Sequence, residues 1–106
     1  MNNCIFTGYL AEEPILDKVD GVSYLDLKLV VYNYRKTKHG GEKSKTPVYI
    51  YCEAWHTGAE TIASLAEEGT QITVNATAKN VKDDEELIIF RINEFDLPSL
   101  DHDWEE

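Results

Sequence analysis

The sequence predicts an all-β fold: five strands closed into a small Greek-key barrel, with one short helix between the third and fourth strands. Three observations carry this expectation. Apolar side chains recur at every second residue over several separate stretches, the stretches are parted by turn-forming residues, and only one segment carries a helical period. At 106 residues the chain is sized for a single domain, and 42% hydrophobic residues give it enough apolar surface for one core.

Residues 4–10 read as the first strand, with Gly8 marking a bulge or a close backbone approach. Ala11 to Pro14 end it, residues 15–19 extend toward a turn, and Asp20-Gly21 is a strong hairpin signal. The second strand, 22–34, sends Leu25, Leu27, Leu29 and Val31 to one face and Tyr24, Asp26, Lys28, Tyr32 and Tyr34 to the other. Residues 35–46 are cationic and broken by Gly40-Gly41, as expected of a hairpin loop.

The third strand, 47–55, is the most informative stretch. Val48, Ile50, Cys52 and Ala54 alternate with Tyr49, Tyr51 and Trp55, so one face suits a core and the other offers large flat rings to water. Thr57 and Glu60 have the spacing of a capping box for a helix running to about Glu68. Its apolar stripe is Ala59, Ile62, Ala63 and Ala66, Leu65 flanks it, and Gly69 follows. Residues 70–79 form the fourth strand, 80–86 an acidic loop, and 87–95 the fifth strand with Ile88, Phe90 and Ile92 inward. The domain is expected to span 1–96, leaving 97–106 as a short acidic tail. This element order is that of the OB-fold, whose second and third strands and connecting loops form a common oligonucleotide-binding surface.

The formal net charge of −10 argues against a general electropositive footprint. The acids cluster in residues 83–86 and in the last eleven residues, however, whereas Lys28, Arg35, Lys36, Lys38, Lys43 and Lys45 hold six of the ten basic residues. Screening over about 8 Å makes the local surface count for more than the total. Rings beside cations suit single-stranded nucleic acid, whose bases stack while its phosphates need neutralising.

Cys4 and Cys52 are read as reduced, buried thiols, with a disulfide between them as the alternative. The histidines His39, His56 and His102 have no ligand spacing, so neither a metal nor a cofactor is expected. No nucleophile elbow, phosphate loop or isolated carboxylate pair points to an enzyme. The amino terminus lacks the pattern of a secretion signal, and no apolar run reaches the ~20 residues of a membrane helix, so a cytoplasmic protein without membrane partners is expected.

The chain resembles the bacterial and phage single-stranded DNA-binding protein family over residues 3 to about 97. The resemblance rests on residues 3–14, which follow that family's opening Asn-x-apolar-x-x-Gly-x-Leu-x-x-x-Pro, on Leu27 to Val31, on the basic hairpin, and on Gly69 to Val74. It implies base stacking on Tyr49 and Trp55, and at the end of the second strand on Tyr34, or its neighbour Arg35 in the other register. Where the family has a loop aromatic this chain has Val81-Lys82, and the family's strand-four glycine is Ala76. The full set expected to touch single-stranded DNA is Tyr32, Tyr34, Arg35, Lys36, Lys38, Lys43, Lys45, Tyr49, Tyr51, Trp55, Lys79 and Lys82. The resemblance further implies a role in replication, recombination or repair and assembly as a homodimer or homotetramer. Asp101, Asp103, Trp104, Glu105 and Glu106 would form a tip that docks replication or repair proteins. An acidic OB-fold adapter, or a DNA mimic, is the competing expectation from charge alone.

Overall fold

The computed structural model describes residues 1–36 and 43–98. Its elements are β1 (Cys4–Leu10), β2 (Leu16–Val19), β3 (Val22–Lys36), β4 (Lys43–Trp55), α1 (His56–Leu65), β5 (Gln71–Val81) and β6 (Asp84–Asp96). The strands run in the order β1-β5-β6-β4-β3-β2, and β1 also pairs with β3, which closes a five-stranded barrel. All pairings are antiparallel except β4 with β6. β2 stands outside the ring as a short hairpin partner of β3, joined through Asp20 and Gly21 at φ 52° and 80°. Two positive φ values in a two-residue loop match the twist of the flanking strands, which is why this dipeptide signals a hairpin.

Most of the alternating positions form the core, whereas Val48, expected inward, is 37% exposed and Val31 half-buried where the hairpin leaves the barrel. Leu25, Leu27 and Leu29 from β3 and Cys52 and Ala54 from β4 are buried with Leu10, Ile72 and Val74, and α1 closes one end with Ala59 and Ile62, followed by Ala66 just past the helix. Phe6 and Phe90 meet edge to face, with ring centroids 5.0 Å apart, at the margin of this cluster. Gly8 lies where β1 crosses β3: a Cβ there would stand 2.4 Å from the Val30 carbonyl oxygen, so only glycine lets the barrel close.

Several boundaries differ from the sequence reading. β4 starts at Lys43 and β6 at Asp84, because the two long hairpins continue their backbone pairing beyond the barrel, where no core imposes an apolar period. Ile88, expected inward, is therefore 59% exposed on the projecting β5–β6 arm. An irregularity in the β5–β6 register at Asn75/Ala76 leaves one extra β6 residue between Ile92 and Phe95, so both rest against the core despite their odd spacing. Leu97, assigned to the tail, is buried in the core cluster.

The capping box does not form. The chain passes from β4 straight into α1 with Trp55 as the N-cap and no side-chain cap bond, so the helix begins one residue earlier than its supposed cap. His56 takes φ 59° to make this turn, and Glu60 instead accepts a hydrogen bond from Ser23 Oγ at 2.5 Å, tying helix to barrel. The helix ends at Leu65 with Ala66 extended, three residues before Gly69, whose φ of 91° belongs to the following turn. Cys4 and Cys52 are both free thiols, Cys4 half-buried and Cys52 fully buried.

Two outcomes follow from this packing. Gly8→Ala is expected to cost about 1–3 kcal/mol in urea unfolding, since a backbone oxygen must move to admit one methyl group; wild-type stability would contradict the close approach. Burial raises the Cys52 thiol from its usual value of 9.0 to about 12. The folded state thus favours the protonated thiol, so this contribution is complete below the lower value and is lost as pH rises toward the upper one. Thermal midpoints across that window should fall faster for the wild type than for Cys52→Ala, and parallel profiles would contradict the burial.

Candidate nucleic-acid interface

The β3–β4 ladder sets the geometry of the site. Its rows pair Tyr34 with Lys45, Tyr32 with Pro47, Val30 with Tyr49, Lys28 with Tyr51, Asp26 with Glu53 and Tyr24 with Trp55. Directly paired residues share a face, and each row is two residues from the next, so all twelve side chains line the outer face of the barrel. At about 3.3 Å per residue the floor from Lys45 to Trp55 is about 33 Å long.

The distal half of this floor is aromatic and cationic. Tyr34, Tyr49 and Tyr51 are 67%, 53% and 55% exposed, far more than rings serving a core would be. Lys28 Nζ lies 5.0 Å from the Tyr49 ring centroid and 5.9 Å from that of Tyr51, and Lys45 Nζ lies 4.0 Å from that of Tyr32. Tyr32 also meets Tyr9 of β1 at 6.4 Å between centroids, which fixes the edge of the platform. Each ammonium thus sits against a ring face by cation–π attraction, positive charge and flat apolar surface occupying the same few ångströms.

The proximal half is different in kind. Tyr24 and Trp55 pack tilted with centroids 4.5 Å apart, and the Tyr24 hydroxyl donates to Asp26. Burial, and then that bond to Asp26, push the Tyr24 phenol well above its ordinary range, so it stays a protonated donor. Glu53 lies only 5% exposed on this otherwise open face, and Lys79 Nζ reaches its Oε2 at 2.8 Å. A carboxylate so covered requires a paired cation, and Lys79 supplies it. Between the floor and the β5–β6 arm runs a cleft of about 490 Å³, with Tyr51 and Lys28 at its base, Leu87, Ile88 and Ile89 on one wall, and Glu12 and Glu13 on the other.

Of the residues expected to touch DNA, Tyr32, Tyr34, Lys45, Tyr49, Tyr51 and Trp55 are brought to this one face. Arg35 is exposed near the end of β3, and Lys36 pairs through its backbone with Lys43. Lys79 is engaged with Glu53, and Lys82 is exposed at the β5–β6 turn. Lys38 and the tail residues Asp101, Asp103, Trp104, Glu105 and Glu106 lie outside the described residues. Sequence reasoning left Lys28 out of the site, although it shares its parity with Tyr32 and Tyr34; that shared parity was the available signal. Among the described residues no group of three or more His, Cys, Asp or Glu side chains could hold a metal ion, and no helix is long and apolar enough to cross a membrane.

No protein-family model and no curated protein sequence matches the chain. Solved structures do. The single-stranded DNA-binding protein of Thermus aquaticus superposes with a TM-score of 0.74 at 24% identity, over 91% of this chain and 49% of that one, so this chain spans about half of its length. The small single-stranded DNA-binding protein of Streptomyces coelicolor gives 0.73 at 13% identity, over 92% and 94% of the two chains. The protein PriB of Ralstonia solanacearum gives 0.69 at 12% identity, over 92% and 98%. The likeness is one of fold: with its barrel closed by β1 on β3 and its helix between β4 and β5, the chain has the OB-fold of the bacterial single-stranded DNA-binding proteins.

Proposed function

We propose that this chain binds single-stranded DNA with little sequence preference, coating and protecting strands exposed during replication, recombination and repair. Bases stack on Tyr49, Tyr51 and Trp55 and on Tyr32 or Tyr34, while Arg35, Lys36, Lys38, Lys43, Lys45 and Lys82 follow the phosphates. The observation that carries this reading is the row of exposed rings on the β3–β4 floor with Lys28 and Lys45 held against them. Every base has a π-face, so such a platform accepts any unpaired sequence, at about 1–3 kcal/mol per stacked base. A duplex hides those faces and binds poorly. The likeness in fold to single-stranded DNA-binding proteins supports the same reading.

The reading extends to assembly. Ile5, Thr7 and Tyr9 are exposed along β1, and Cys4 to Thr7 are paired only on the β5 side, so this strand offers an open edge and an apolar strip to a second copy. A homodimer or homotetramer in the cytoplasm of a bacterium or a phage-infected cell fits that surface, with the acidic tail as a dock for replication or repair partners.

Fluorescence tests the core of the proposal. The chain has two tryptophans, so Trp104→Phe leaves Trp55 as the sole indole reporter, and oligothymidine is expected to quench it. In anisotropy titrations with labelled oligothymidine, Tyr49→Ala and Trp55→Ala should each weaken binding about 5- to 150-fold, the equivalent of one lost stack. Wild-type affinity in both variants would reject the assigned face. With about three phosphates neutralised, log affinity should fall with log salt at a slope of about −2; a slope near zero would remove the cationic half of the account and leave the acidic adapter as the better reading.

A further inference from the structure

The aromatic floor ends at Trp55 in surroundings hostile to a polynucleotide backbone. Asp26 and Glu53 form the adjoining row, and Glu12, Glu13 and Asp17 lie beside Asp26 on the β1–β2 side. Beyond Trp55, on the opposite side, the surface changes character. A recess of about 340 Å³ is lined by Trp55, His56, Lys79 and Arg91 and, from the β2–β3 hairpin, by Val19, Val22 and Asp20, the one acid on its wall. Lys79 already offsets Glu53 at 2.8 Å. Arg91 lies beside Glu53 in the parallel β4–β6 pair, is exposed, and has no carboxylate within 4.0 Å among the described residues.

We propose that this recess is a phosphate site, in which Arg91 binds the phosphodiester of the nucleotide stacked on Trp55, with Lys79 and the His56 ring as further donors. The inference rests on the single-stranded DNA reading above and adds to it the direction of the bound strand. A base on Trp55 carries its phosphate only a few ångströms away, and the two routes off the floor differ in sign. Toward β1 and β2 the backbone meets four carboxylates, those of Glu12, Glu13, Asp17 and Asp26. Into the recess, between the β2–β3 turn and strands β5 and β6, it meets a planar guanidinium whose paired N–H groups match the spacing of phosphate oxygens, and a lysine whose own counter-ion is fixed. The strand therefore enters beside the cationic end of the β3–β4 hairpin, crosses the rings, and leaves over Arg91.

Salt titrations of labelled oligothymidine binding to the wild type, Arg91→Gln, Arg91→Lys and Tyr49→Ala test the site. Arg91→Gln should lower the affinity and flatten the slope of log affinity against log salt by about 0.7, the share of one phosphate on a single strand. Arg91→Lys should keep the wild-type slope, and Tyr49→Ala should lose affinity without changing it. A wild-type slope in Arg91→Gln would overturn the recess while leaving the aromatic floor standing. Failure of the wild-type protein to bind oligothymidine would instead overturn the reading on which the recess depends. Because Arg91 is exposed, its substitutions should leave the thermal midpoint in place, and circular dichroism of each variant separates a lost contact from a lost fold.

Discussion

The register of the β3–β4 ladder is the constraint on which the rest depends. It runs from Tyr24↔Trp55 to Lys36↔Lys43 without a bulge, so within the barrel a single parity assigns the side chains of both strands to the inner or the outer face. Leu25, Leu27 and Leu29 interlock with Cys52 and Ala54 at zero or near-zero exposure, and a slip by one residue would expel them all at once. The barrel thereby fixes the phenols and the indole on the outside, since their partners on the other face are what hold the protein together. Fold and candidate site are two consequences of one alternation.

The outer face is not uniform. Its distal half couples exposed phenols to the ammonium groups of Lys28 and Lys45, and its proximal half holds Asp26 and a covered Glu53. The net charge of −10 therefore says little about whether a phosphate is welcome at a given point. Screening over about 8 Å makes the nearest side chains count for more than the total. What matters to a ligand is the sequence of local environments along the floor.

Most of this was legible in the chain because burial writes a two-residue period. Strands packed on the core, the Asp20-Gly21 hairpin, the Gly8 contact and the OB-fold order were all accessible from residue type and spacing. Legibility fails where burial does not govern. The arms of the β3–β4 and β5–β6 hairpins extend past the barrel with no core to pack on, so their true lengths and the exposure of Ile88 could not be read from an apolar period. Glu60 has the spacing of a capping residue but bonds to Ser23, and Lys79 holds an ion pair with Glu53 that its own stretch of sequence does not announce. In both cases a partner distant in sequence captured the side chain, which no local pattern encodes. Arg91 was missed for a similar reason: its neighbours in the recess come from the β2–β3 hairpin, β4, α1 and β5.

The central claim is that the rings of the β3–β4 floor are contact surfaces for unpaired bases, and fluorine NMR of fluorotyrosine-labelled protein tests it most directly. On addition of oligothymidine the resonances of Tyr49 and Tyr51, assigned by single Tyr→Phe substitutions, should shift as bases stack on them, while duplex DNA of the same length leaves them in place. Shifts confined to tyrosines off this face, or none at saturating oligonucleotide, would contradict the account.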